Sequence, residues 1–211
     1  MNIKSNFIKK YAIKLMSYDK YISIINTYWF RGYFDLDRWF KKSSQYDNEI
    51  KTIFSGILKA GEKGHLEHWA NTKDGFIAYI ILLDQFTRQI YRYSGDSYKN
   101  DEKSLRFMKK HITKYINNLD ATKLMFALMP LQHSENIKDQ IKGVKILKTL
   151  IKYERDKKEL DILNEALKHQ EGHLKVIKMF GRFPKRNQYI SGRETTIKED
   201  EYIRISSHLP Y

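Results

Sequence analysis

Apolar residues recur along this chain at spacings of three and four, and only three prolines and ten glycines interrupt them. That pattern predicts a fold built entirely, or almost entirely, of helices, with no hairpin signal anywhere. Residues 6–16 and 19–30 read as the first two helices, and residues 1–20 as an N-terminal extension helix. The second carries Ile22, Ile25, Tyr28 and Trp29 on one side before Gly32 marks a break. Trp39 and Phe40 supply a large apolar anchor, and Trp29, Trp39 and Trp69 are expected in the core. From 44 to 60, Tyr46, Ile50, Ile53, Phe54, Ile57 and Leu58 keep helical spacing until Gly61 and Gly64, after which a short helix bears Leu66 and Trp69.

Residues 74–89, DGFIAYIILLDQFTRQ, are nearly continuously apolar from Phe76 to Leu83. Length and the four-residue offset of Asp84 and Arg88 favour a buried helix that becomes polar in its last turn over a buried strand. Helices are predicted from about Asn100 to Lys114 and from 120 to 129, where Pro130 should stop the second. Another is expected over 133–154, with Ile137, Ile141, Val144, Leu147, Leu150 and Ile151 inward, and one over about 157–179. The segment 180–193, FGRFPKRNQYISGR, is irregular, and Thr196 to Glu199 forms a capping box that opens a last helix over about 197–207. The whole of 1–211 reads as one antiparallel helical array in a single compact domain.

Composition then narrows the classes. There is no cysteine, which removes disulfides, thiolate metal sites and a cysteine nucleophile. The first twenty residues are interrupted by lysine too often for a signal-peptide core, and no apolar run reaches the roughly 18 residues of a membrane span. The expectation is a cytoplasmic protein without membrane association. A net charge of +14 invites nucleic acid, yet no recognition motif accompanies it, and the aromatic residues fall at core spacings. The chain is rich in Lys, Ile, Asn and Tyr together, as AT-rich coding yields, so many lysines read as solvated surface. Nucleic acid is therefore not the favoured partner.

Candidate chemistry lies in three polar clusters: Asp84 and Gln85 with Arg88 and Arg92; His133, Ser134 and Glu135 with Gln140; and His173 with Arg182, Arg186, Asn187 and Arg193. Guanidiniums in an irregular segment need carboxylates or a bound anion from elsewhere, because an unpaired buried charge is very costly. A surplus of guanidinium over carboxylate would leave a positive cavity. His133, Glu135 and His173 are the candidates for proton transfer, and the other eight (Asp84, Gln85, Arg88, Arg92, Arg182, Arg186, Asn187 and Arg193) for ligand binding. Ser134 beside His133 is no triad, since neighbours on a helix do not face each other. His169 and His173, four apart, lack a third metal ligand, so neither a metal nor a cofactor is expected.

The strings DQFTRQIYR at 84–92, PLQHSE at 130–135, FGRFPKRN at 180–187 and GRETTIKE at 192–199 carry a resemblance, with YWF at 28–30, WF at 39–40, YD at 46–47 and HW at 68–69 in the same order. From about Ile25 to Ile203 the chain resembles the family catalogued as Domain of Unknown Function 924. The resemblance implies an α-helical fold similar to tetratricopeptide repeats and no established activity. Lys185 stands where the family favours histidine in its FP-x-RN motif, so any chemistry requiring an imidazole there would be altered. Two functions remain in view. One is a pocket for a small anionic ligand, bound reversibly or turned over. The other is an interaction scaffold for a peptide or acidic protein, whose cations would sit outside the motifs, among Lys109, Lys110, Lys142 and Lys145.

Overall fold

The computed structural model describes residues 18–31 and 39–206. The predicted helix at 6–16 and the break at Gly32 lie outside these residues. Helix α1 spans 18–30 and α2 Ser44–Glu62. Helix α3 begins at Lys73–Ile80, widens into a π turn over Ile81–Phe86 and closes with Thr87–Ile90. Then come α4 (Asp101–Tyr115), α5 (Ala121–His133), α6 (Ile137–Tyr153), α7 (Lys157–Phe180) and α8 (Ile197–Ile205). Short 3-10 turns at Glu67–Asn71, Gly95–Tyr98 and Pro184–Tyr189 link them. Among the described residues there is no strand, and none of the helices is long and apolar enough to cross a membrane.

Six of the helix starts have a local cap. Ser43, Thr72, Asp120, Asn136 and Asp156 turn a side-chain oxygen onto an otherwise unpaired amide of the first helical turn, and Thr196 and Glu199 cap each other reciprocally. Helix α7 ends on Gly181, whose φ of +71° is a left-handed conformation that a Cβ would strain.

Helix α3 is the axis of the molecule. Every residue from Gly75 to Thr87 is buried, so the helix is enclosed on all sides by α1, α2, α4 and α5. Phe86 of α3 joins Trp29, Trp39, Phe54 and Phe126 in one aromatic cluster, mostly edge to face, with ring centres 4.5–5.5 Å apart for the closest pairs. Trp39 Nε1 also donates to the carbonyl of Trp29 at 2.8 Å. All three tryptophans are in the core as expected, whereas Phe40, read as an anchor, remains 54% exposed.

Three sequence expectations change. Pro130 does not stop α5, which continues to His133; Pro130 and Leu131 are buried, and packing carries the last turn despite the missing amide. His133 therefore closes a helix instead of opening one, and α6 starts at Ile137, capped by Asn136. Ile137 and Ile141, assigned inward, are exposed.

Two close approaches set the frame for the polar clusters. A Cβ on Gly143 of α6 would stand 2.6 Å from the Gln170 amide of α7, so glycine lets the helices touch there. Gln170 Nε2 donates to Gln140 Oε1 at 2.6 Å, and Gln140 Nε2 donates to the carbonyls of Gln132 and Ser134, both at 2.7 Å. These buried amides satisfy carbonyls that the end of α5 leaves open. The other approach is at Gly95, where a Cβ would lie 2.4 Å from the backbone oxygen of Tyr189. Gly95→Ala should therefore push the Pro184–Tyr189 turn away from the Gly95–Tyr98 turn and destabilise the fold by about 1–3 kcal/mol, the usual range for forced overpacking. Urea unfolding would check this, and an unchanged midpoint would show that the two turns are not tightly seated.

Candidate functional site

The π turn of α3 decides where the first cluster points. One extra residue per turn widens the helix locally, and such turns often occur at functional sites. Here the turn holds Asp84 and Gln85 inside the protein, Asp84 at 0% exposure. A buried carboxylate needs partners. His133 Nδ1 reaches Asp84 Oδ1 at 2.8 Å, Gln85 Nε2 donates to Oδ2 at 2.5 Å, and Arg88 lies one turn on. Burial alone would raise the Asp84 pKa, but the His133 and Arg88 interactions and the Gln85 hydrogen bond outweigh it and hold it below the usual carboxylate range.

The carboxylate only accepts, so the ring nitrogen facing it, His133 Nδ1, carries the proton. Burial and the nearby Arg88 guanidinium lower the His133 pKa, so the ring is neutral at pH 7 and its Nε2 is unprotonated. The side chain is 15% exposed, and Nε2 has no partner among the described residues. His173 stands edge-on to it, ring centres 6.4 Å apart, and donates through Nδ1 to the carbonyl of His169 at 2.8 Å. Burial, above all, pushes the His173 pKa down to about 3.

The C-terminal segment meets this pair. Arg88 forks onto Asp101 at 2.6 and 3.0 Å. Arg193 forks onto Glu135 at 2.8 and 2.6 Å, and Glu135 also accepts the amide of Phe183 at 3.0 Å. Arg182 forks onto Glu199 at 2.7 and 2.9 Å, fastening α8 to the segment. Burial would raise the Glu135 pKa, but the Arg193 hydrogen bond, the Phe183 amide and the charges of Arg186 and Arg193 lower it, so it stays ionised. Arg186 differs. Its guanidinium lies between the rings of Tyr98 and Phe183, 4.6 and 4.5 Å from their centres, and donates to the His133 carbonyl at 3.0 Å. Its ion pair is a single 3.3 Å contact to Asp101, the carboxylate that Arg88 already holds at both oxygens.

The segments at 84–88, 133–135 and 180–193 thus converge, as their charges suggested. Asp84, Gln85, Arg88, His133, His173 and Arg186 form its centre, and Glu135 with Arg193 flanks it. Arg182 turns outward to Glu199, and Asn187 lies beside them, donating to Thr195 Oγ1 at 3.3 Å. Arg92 is elsewhere, forked onto Asp47 of α2 at 2.5 and 2.6 Å. Lys185 also points away, its Nζ donating to the Ser206 carbonyl at 2.5 Å. The guanidinium surplus is absent: Asp84, Asp101, Glu135 and Glu199 balance Arg88, Arg182, Arg186 and Arg193. Sequence reasoning missed Asp101, Tyr98 and Phe183. Of these Asp101 left a trace as an acidic residue at a helix start, and Phe183 as the first residue of the FP-x-RN motif, whereas Tyr98 left none.

An all-helical domain, with conspicuous sequence strings that meet in one buried cluster of carboxylates, histidines and arginines, is the class these features define. The chain belongs to the family described as bacterial protein of unknown function (DUF924), which matches residues 25–206. It is similar to the solved structure of a protein of unknown function, ATU0120 from Agrobacterium tumefaciens, with a TM-score of 0.77 and 26% identity over 89% of this chain and 98% of that one. A search of curated proteins finds no match.

Arg88→Ala should destabilise strongly, by about 3–5 kcal/mol, because it leaves Asp84 and Asp101 short of their main cation. Arg186→Ala should destabilise less, since Asp101 keeps Arg88; paired denaturation curves decide, and equal losses would contradict the pairing described. Acid should also weaken the fold early. An unfolded imidazole titrates near 6.5 and folded His173 near 3, so the unfolded chain binds more protons between those values. The stabilisation is complete above pH 6.5 and falls by about 1.4 kcal/mol per pH unit below it. Melting curves from pH 7 to 5 should show this slope, and His173→Gln should flatten it.

Proposed function

We propose that the cluster binds a small anionic ligand, carrying a phosphate or carboxylate, at Arg186, with His133 Nε2 as the group that accepts or returns a proton. The observation that carries this reading is the incomplete pairing of Arg186. Arg88, Arg182 and Arg193 each have both forks on one carboxylate, whereas Arg186 has a shared 3.3 Å contact and a backbone carbonyl. Two aromatic faces hold its plane in place without occupying its N–H groups. A guanidinium fixed in this way is suited to bidentate recognition of an oxyanion.

His133 complements it. Its neutral tautomer is set by Asp84, which leaves Nε2 to act as a base, and its backbone oxygen is bonded to Arg186. His173 stays neutral beside it and adds no competing charge. Glu135, ionised and bound by Arg193 and an amide, is better suited to hold the segment in place than to shuttle protons. Whether the ligand is released unchanged or turned over depends on what it offers to Nε2.

A thermal-shift screen over phosphate, sulfate and phosphorylated or carboxylated metabolites tests the reading without a known substrate. A ligand at about a hundred times its dissociation constant should stabilise the wild type by about 2.7 kcal/mol. The same compound should act much less on Arg186→Ala, which is expected to remain folded. If no anion shifts the wild type beyond matched ionic strength, the pocket reading fails and an interaction scaffold takes its place.

A further inference from the structure

Between α6 and α7 the two helices leave an open seam of about 650 Å³. Its floor is apolar: Ile141 and Val144 from α6 and Leu174 from α7. Ile141 is 37% exposed, and Ile137, one turn earlier on the same helix, is exposed as well. These were the positions the helical periodicity assigned to the core, and among the described residues both are exposed. The rim is cationic, with Lys145 and Lys148 on one helix and Lys175 and Lys178 on the other. Glu171 is the one carboxylate lining the seam, and it is already bound to Lys148 at 2.8 Å.

We propose that this seam docks an acidic amphipathic helix of a protein partner. An apolar floor between two rows of ammonium groups is complementary to an apolar stripe flanked by carboxylates on both sides. A concave seam between parallel rods accepts a third rod better than it accepts a flat bilayer. A second copy of the same seam is disfavoured, since a two-fold interface would set lysines against lysines. From Ile141 to Lys148 the seam runs about 10 Å at 1.5 Å per residue, so the partner engages it with apolar residues at i, i+3 or i+4, and i+7. Lys145 was among the cations expected to serve such a partner, while Lys109, also expected, is held by Asp139 at 2.5 Å.

The test uses a synthetic helix of about 18 residues, long enough to fold on binding, with leucines at that spacing and glutamates flanking them. Controls are a scramble of the same composition, a lysine-for-glutamate version, and dodecanoate. Wild-type protein should bind the acidic helix, with shifts in the methyl resonances of Ile141, Val144 and Leu174. The Lys145→Glu, Lys175→Glu double variant should bind at least tenfold more weakly while its circular dichroism and melting temperature hold. If that variant does not fold, the wild-type methyl map decides alone. Equal binding of the scramble would reduce the seam to a diffuse basic surface. Methyl shifts elsewhere, no binding, or dodecanoate occupying the seam when the helix does not, would each overturn the proposal. Arg186→Ala should bind the helix as the wild type does, which separates this seam from the anion reading.

Discussion

A carboxylate with no solvent exposure, on a helix enclosed on every side, is the constraint around which this fold is arranged. Asp84 cannot be hydrated, so protein groups must supply what water would have. That requirement brings His133, from the far end of α5, to within hydrogen-bond distance, and it keeps Arg88 close by, with Asp101 as counter-charge. Arg186 then shares Asp101 and draws the C-terminal segment over the end of α5. Gln140, held by Gln170, reinforces the same corner by closing the carbonyls of Gln132 and Ser134 on either side of His133. What appears in sequence as three separated strings is in space one continuous set of hydrogen bonds.

The helical architecture was legible because burial imposes a period on each helix that composition cannot hide. The boundaries that failed did so for a local reason. Pro130 signals a stop only where its turn lacks other support, and here Leu131 and its buried neighbours supply it. Misplacing that boundary moved His133 from the end of one helix to the beginning of the next, although its inclusion in the cluster did not depend on it. The π turn had no distinctive signal, since an unbroken apolar run has the same composition whether it winds with 3.6 residues per turn or more.

The pairings were less legible than the participants. Charge complementarity identified Arg88, Glu135 and the arginines after 180, but it does not say which carboxylate belongs to which cation. Arg92 was grouped with its sequence neighbours, yet its counter-ion is Asp47, at the start of α2. The balance of charge changed as well: with Asp101 and Glu199 included, the cluster is neutral, and the net +14 of the chain resides elsewhere. Some of it lines the α6–α7 seam. The failure of Ile137 and Ile141 to face the core is what distinguishes that seam from ordinary solvated helix, and periodicity alone has no means of telling an unoccupied apolar face from a covered one.

The forked pairs also constrain how the sequence can change over evolutionary time. Glu135 and Arg193 are 58 residues apart in the chain and held at both forks, and Arg182 and Glu199 are joined in the same way. Losing one member removes both charge-assisted hydrogen bonds and leaves its partner without a counter-charge. A lineage that replaces one therefore passes through a weakened intermediate unless both codons change together. Such pairs drift as units, and their residue identities can persist long after the stability they contribute could have been supplied by apolar packing.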